Sequence, residues 1–313
     1  MNKDYIITHY YHSGFSVSHE DTLLIFDYWR GEEGELTEEL QLKEDDLRSY
    51  RQVFVFISHE HVDHMDPIVF TWQKLGNVRY IVSSDMPVGT RGKRMAPGDE
   101  LSLCENISVR AFDSTDLGVS YLVNFDGVRF FHAGDLNFWH WRDESTTQEI
   151  EDAEEDFNKA IKPLKNESVD IAFFPVDPRQ GSMFEAGADS FILSVKPRLM
   201  IPMHYFHRAD IAMEYARTAG NRSTEVLAMP EYGSILKITM DEDGFMNLSF
   251  PKREDILAQK NQEDSEEIIS ESLSEDNPFN DSDLPLPQLA FSTNQDSSKS
   301  TESNTPETLK NKG

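Results

Sequence analysis

Val53-Phe54-Val55-Phe56-Ile57-Ser58-His59-Glu60-His61-Val62-Asp63-His64 joins an apolar run to three histidines and an aspartate packed into six residues. The apolar half reads as a buried strand. The polar half begins where that strand must end. Neutral imidazole and carboxylate in such density suit Zn²⁺, and also Mn²⁺ or Fe²⁺. A histidine-rich polar loop is the plainer reading. With ten histidines in 313 residues, three at this spacing beside an aspartate decide for a metal.

Other strand ends repeat the pattern. Phe130-Phe131-His132-Ala133-Gly134-Asp135 closes one with a histidine and an aspartate. Leu199-Met200-Ile201-Pro202-Met203-His204 closes another, and Ala111-Phe112-Asp113-Ser114-Thr115-Asp116 a third. Donors at the ends of several strands can converge on one sheet edge. A dinuclear centre needs that convergence, because each ion takes three or four protein donors and a carboxylate can bridge them.

Further β-rich runs are Tyr5–His9, Thr22–Asp27, Val78–Val82, Ile107–Phe112, Ser120–Phe125, Val128–Phe131 and Val169–Phe174. Asp126-Gly127 reads as a hairpin turn. Helical patterns lie between them, at Asp66–Leu75, at 186–196 and at 209–219. The clearest follows Asp143. Thr146 and Glu149 have capping-box spacing, Ile150, Ala153, Phe157 and Ile161 share a face, and Pro163 ends it. Interleaved strands and helices with hairpins give an α/β class, a mixed sheet layered with helices.

Composition divides the chain at about residue 253. Residues 254–313 carry 14 acidic and 4 basic side chains with few apolar ones, which reads as a disordered acidic tail. Residues 1–253 form the domain and keep a net charge of −18. That charge repels polyanions, so nucleic acid is excluded as the main partner and a small-molecule substrate is expected. Lys93 and Arg94, near Arg91, are the one modest basic cluster. No apolar run reaches the ~20 residues that span a bilayer. The single cysteine, Cys104, rules out an internal disulfide and a thiolate zinc cluster. A cytoplasmic protein without a membrane partner is the expectation; the oligomeric state is left open.

The order His-x-His-x-Asp-His, then Gly134-Asp135, then Pro202-Met203-His204 resembles the metallo-β-lactamase superfamily over roughly residues 5–240. With Tyr11-His12-Ser13-Gly14-Phe15, it resembles the bacterial branch related to ascorbate-phosphate lactonases and phospholipase-D-type phosphodiesterases. The resemblance implies a four-layer αββα sandwich with a metal site at the sheets' shared edge. It implies a metal-dependent hydrolase of a small ester-like substrate, phosphodiester or lactone, attacked by a metal-bound hydroxide. His59 and His61 would hold the first of two zinc ions, and Asp63, His64 and His204 the second. Asp135 would bridge them, and Asp63 or Asp135 would handle protons as the catalytic groups.

One departure stands out. The superfamily supplies a third histidine to the first ion from a loop that here reads Phe112-Asp113-Ser114-Thr115-Asp116-Leu117-Gly118. Asp116 is the first replacement candidate. His132 is the second, although a strand would turn it to the face opposite Asp135. That departure motivates the alternative, a metal-binding sensor or inactive scaffold without turnover. His12, His132 and Arg179 are candidates for substrate contact, Arg179 through a forked hold on a phosphate or carboxylate. A salt bridge of Arg179 with Asp177 or Glu185 is the duller reading. Trp139 and Trp141 are expected either to wall the site or to pack on the acidic helix. His9, His19, His140 and His207 are expected to be structural or exposed.

Overall fold

A computed structural model of the chain describes residues 2–256, apart from residues 33 and 222. The first sheet begins with β1 (Lys3–His9), β2 (Phe15–His19), β3 (Thr22–Phe26), β4 (Gln52–Ile57), β5 (Val78–Ser83) and β6 (Lys93–Met95). The second holds β7 (Glu100–Cys104), β8 (Ile107–Phe112), β9 (Ser120–Phe125), β10 (Val128–His132), β11 (Ile171–Pro175), β12 (Leu199–Met203) and β13 (Glu225–Val226). Then β14 (Ile235–Met240) and β15 (Met246–Ser249) return to the first sheet beside β1. The orders are β15-β14-β1-β2-β3-β4-β5-β6 and β13-β12-β11-β10-β9-β8-β7.

Side-chain alternation along β4 shows how the layers form. Phe56 stacks on Phe26 of β3 and meets Tyr121 of β9 edge-on at 5.5 Å, so the face carrying Phe54 and Phe56 looks into the second sheet. Val53, Val55 and Ile57 point the other way, into a cluster with Leu47, Val69 and Trp72. On the far side of the second sheet Phe174 stacks on Phe191 at 4.3 Å and meets Phe157. Helices therefore cover both outer faces, which gives the four-layer αββα sandwich. A strand buried on both faces has no polar positions to alternate, hence the unbroken run that opens the motif.

Local chemistry sets the element ends. The helix Thr147–Ile161 has the expected capping box. Thr146 Oγ1 accepts from the Glu149 N–H, and Glu149 accepts from the Thr146 N–H at 2.7 Å. The hairpin β9–β10 turns at Asp126 (φ 49°) and Gly127 (φ 91°), the left-handed pair of a type I′ turn. Pro67–Leu75 is a 3₁₀ helix rather than an α-helix. Asp66 caps its start and left-handed Gly76 its end. Helices also fall at Ala186–Ser194 and Ala209–Thr218, inside the expected ranges, whereas the short α-helix Glu44–Arg48 and the 3₁₀ turns Pro163–Asn166 and Pro178–Met183 lie outside the expectation.

Several strands lie outside the sequence expectation: β2, β6, β7 and β13 to β15. Apart from β14, whose Ile235-Leu236-Lys237-Ile238-Thr239-Met240 is itself a β-rich run, they are short, serine-bearing or charged, and what makes them strands is the neighbour they pair with. The end of the sandwich that carries the hairpin turn is pinned across the sheets. Tyr5 donates its hydroxyl to the Phe125 carbonyl at 3.0 Å, and Lys3 Nζ reaches the Asp126 carbonyl at 2.7 Å. Residues 253–256 form one helical turn; the remainder of the expected acidic tail, 257–313, lies outside the described residues. Among the described residues no helix is long and apolar enough to cross a membrane.

Phe173 joins the layers, fully buried against Phe15 at 4.4 Å and Phe26 at 6.3 Å. Phe173→Ala is expected to cost about 3–5 kcal/mol of stability, read as a lower midpoint in urea denaturation. An unchanged midpoint would contradict this packing.

Candidate metal centre

Parallel strands bring the site together. β3 and β4 run parallel in one sheet, and β10, β11 and β12 run parallel in the other. Asp27, Ser58-His59, Asp135 and His204 follow the C-terminal ends of β3, β4, β10 and β12. Each leaves its strand where the ladder stops, so its side chain is free to turn into the shared edge.

Asp135 is the hub. Its Oδ1 lies 2.8 Å from His64 Nε2 and 3.1 Å from His204 Nε2; its Oδ2 lies 3.2 Å from His59 Nε2 and 3.7 Å from His61 Nδ1. His59 Nε2 and His61 Nδ1 are 3.0 Å apart. Short as these distances are, Asp135 Oδ1, His64 Nε2 and His204 Nε2 are buried and make no well-aligned hydrogen bond. They are crowded together without the alignment that N–H···O bonds require. A cation bound by several donors at once needs that arrangement, and hydrogen bonding does not. The residues fit a transition-metal centre.

Buried carboxylates behind the rings orient them. Asp27, 1% exposed, accepts from the Ser58 N–H at 2.8 Å, from Ser58 Oγ at 2.6 Å and from His64 Nδ1 at 2.8 Å. Ser58 Oγ in turn accepts from His59 Nδ1 at 2.9 Å, and Asp177 accepts from His204 Nδ1 at 3.0 Å. Each of these rings has Nδ1 engaged and Nε2 turned inward, the usual outer-sphere device of metal-binding histidines. Neither Asp27 nor Asp177 was expected as a site residue. Asp27 does end an apolar strand, as Asp135 and His204 do, and that signal was available in the sequence.

Electrostatics agree with the geometry. Burial works against charge on His64, but Asp135 and Asp27 outweigh it and push the imidazole well above its ordinary range. His204 is raised in the same way by Asp135 and Asp177 against its burial. Burial would raise the Asp135 carboxyl, yet His64 and His204 hold it well below normal. The field that favours a proton on these rings favours a divalent cation in its place.

Asp116 comes to the cluster as the first replacement candidate: its carboxylate, His61 and Asp135 have donor atoms within 4.8 Å of one another. Thr115 fixes the loop, with Oγ1 donating to the Asn137 carbonyl at 2.6 Å and accepting from the Asn137 N–H. Gly118 lets the loop approach, because a Cβ there would lie 2.0 Å from the Ser58 carbonyl oxygen. Asp63, His64, His204 and His12 form a second group of donors within 4.8 Å.

His132 corrects an expectation. It is fully buried and stacked on Phe26; its Nε2 donates to the Ser13 carbonyl at 2.8 Å, and its Nδ1 accepts from the Gly134 N–H. With both nitrogens committed in the core, it is neither the third ligand nor a substrate contact. The cause is that His132 is the last residue of β10 and turns into the core, whereas Asp135 lies beyond the strand, past left-handed Gly134. Trp139, Trp141 and Arg179 line a cleft of about 400 Å³ together with His61, Asp63, Thr115, Asp116 and Asp135. Arg179 also forks onto Asp177 through Nε and Nη2 at 2.9 and 2.6 Å, so the pocket position and the salt bridge hold together. His12 is fully buried and lies outside that lining. His9 and His19 are structural: His9 Nδ1 meets the Met229 carbonyl, and His19 meets the Asp4 carbonyl and Asp126.

Metal uptake must displace protons from rings whose hold on them is strengthened. Apparent zinc affinity of the metal-free chain is therefore expected to rise as pH climbs through neutrality, with calorimetric heats that scale with buffer ionisation enthalpy. A flat affinity from about pH 6 to about pH 8 would contradict it. Asp27→Asn is expected to lower zinc affinity by about 10–100-fold in the same titration.

No family model matches the chain. A relative named as a UPF0173 metal-dependent hydrolase, from Thermococcus onnurineus, is 24% identical over 248 residues, 72% of this chain and 96% of the relative. A proposed metal-dependent hydrolase of Parabacteroides distasonis has a similar structure, with TM-score 0.53 and 19% identity over 72% of this chain and 93% of that one. A metallo hydrolase of Ignicoccus hospitalis has TM-score 0.53 and 18% identity over 75% and 98% of the two chains. This chain shares the two-sheet α/β fold of those structures, with a histidine and aspartate cluster at the sheets' common edge.

Proposed function

We propose that this chain is a metal-dependent hydrolase of small ester-like substrates, a phosphodiester or a lactone, with two zinc ions in the cluster. The observation that carries the reading is the convergence of His59, His61, Asp63, His64, Asp116, Asp135 and His204 beside an open cleft. In this reading His59, His61 and Asp116 hold the first ion, Asp63, His64 and His204 the second, and Asp135 both. With a carboxylate in place of a third imidazole the first position is richer in oxygen, which lets Mn²⁺ or Fe²⁺ compete with zinc. When bound, the ions supply an activated water at neutral pH and polarise the carbonyl or phosphoryl oxygen under attack.

The chain's own groups do the rest. Asp63 lines the cleft; burial would raise its carboxyl, but His12 and His64 hold it below the usual range, so it stays ionised and acts as an acceptor that orients the attacking water. Trp139 and Trp141, with parallel rings, shield one wall from water. Arg179 is about half exposed, and with Nε and Nη2 on Asp177 it leaves Nη1 for an anionic substrate group. The relatives named as metal-dependent hydrolases support the reaction class. Net charge −28 suits a small-molecule partner over nucleic acid, and one cysteine suits a cytoplasmic setting.

Zinc-loaded full-length chain assayed on bis(4-nitrophenyl) phosphate and on a panel of small lactones is expected to turn over one class. Turnover is expected to fall at least about 100-fold in His61→Ala, since even outer-sphere changes cost 10–100-fold. Equal turnover in wild type and His61→Ala would sink the proposal. Asp116 at an imidazole's place favours one other reading, a metal-binding sensor or scaffold. Tight zinc binding with no turnover of either class is the result that would select it.

A further inference from the structure

The fully buried imidazoles of the cluster are wired in two opposite ways. In His59, His64 and His204 the Nδ1 atom faces an acceptor. Asp27 and Asp177 are carboxylates, and Ser58 Oγ has already given its own hydrogen to Asp27. In their neutral form these rings carry hydrogen on Nδ1, and the lone pair falls at Nε2. His12 is reversed. The Phe206 N–H donates to its Nδ1 at 3.3 Å. A ring nitrogen that accepts carries no hydrogen, so the ring's one hydrogen sits on Nε2. That Nε2 lies 3.5 Å from Asp63 Oδ2 and has no well-aligned partner. Buried His132 has the same wiring, through the Gly134 N–H and the Ser13 carbonyl.

Position alone would make His12 a ligand, because its nitrogen lies within 4.8 Å of donor atoms of Asp63, His64 and His204. A ring with hydrogen on Nε2 has no lone pair there to give. The backbone holds it in place at some expense. His12 has φ 55° and His204 φ 66°, both left-handed; the His204 N–H donates to the His12 carbonyl at 3.2 Å, and the two rings sit 3.9 Å apart. Such strain in non-glycine residues persists where the surroundings over-determine it, and it clusters at functional sites.

We propose that His12 is a positioning residue for Asp63 and not a further imidazole ligand: its Nε2 lies 3.5 Å from Asp63 Oδ2 and carries the hydrogen that would bond it, which leaves the other carboxylate oxygen for the ion and the cleft. The proposal rests on the metal-centre reading for Asp63's role, whereas the tautomer of His12 stands or falls without any metal.

The test is made on full-length chain labelled with ¹⁵N-histidine, using two-bond correlations that tell ring tautomers apart. In the metal-free chain His12 is expected to show a protonated Nε2 and a bare Nδ1, and to keep both when zinc is added. An Nδ1–H tautomer, or loss of the Nε2 hydrogen on zinc binding, would overturn the proposal. A second measurement counts zinc. His12→Gln, whose side-chain amide can supply an N–H toward Asp63, is expected to retain the wild-type number of ions. His12→Phe is expected to retain that number with affinity lowered about 10–100-fold, the range for an outer-sphere partner. One ion fewer in His12→Gln would identify His12 as a ligand and end the proposal. If wild type binds no zinc while the Nε2–H tautomer is present, the metal-centre reading fails instead.

Discussion

A single buried carboxylate holds the metal motif to its strand. Asp27 takes the Ser58 N–H, the Ser58 hydroxyl and His64 Nδ1 at once, directly beyond the parallel pair β3–β4. Through Ser58 it also reaches His59. Two candidate ligands, His59 and His64, thus depend on one side chain from the neighbouring strand. Burial of that charge is costly, and three donors in good geometry are what compensate it. Its own φ of 41° shows the chain bent out of the strand to make those contacts.

The fold was legible where hydrophobic runs were unmistakable. β4 and its parallel partners announced themselves because strands covered on both faces must be apolar throughout. The hairpin at Asp126-Gly127 and the box at Thr146 and Glu149 were legible because their chemistry is local. β6, with the sequence Lys-Arg-Met, and the two-residue β13 were not, because nothing in them differs from a loop until a neighbour pairs. The site divided along the same line. Donors at strand ends could be read one by one. What each ring does with its second nitrogen could not, since the partners are distant: the N–H that meets His12 belongs to a residue 194 positions away.

The cluster is asymmetric in its exposure. His12, His64 and His204 are buried to 1% exposure or less, whereas the His61 side chain is 42% exposed and shares the cleft with Asp116. One side of the centre is enclosed by buried rings, with carboxylates behind His64 and His204 and a backbone N–H behind His12. The other meets solvent through a carboxylate and a single exposed ring. Water and small ligands therefore have access mainly from the Asp116 side, between Trp139 and Arg179.

The pins at Tyr5–Phe125 and Lys3–Asp126 lie at the end of the sandwich opposite the donors. The donor end is tied across the sheets as well, by His132 Nε2 donating to the Ser13 carbonyl at 2.8 Å and by the Tyr121 hydroxyl donating to the Ile57 carbonyl at 3.0 Å. His59, His61 and His64 on one sheet and Asp135 and His204 on the other therefore face each other across a seam fastened at both ends. The spacing of the donors is built into the folded chain, like a socket cut to size in advance.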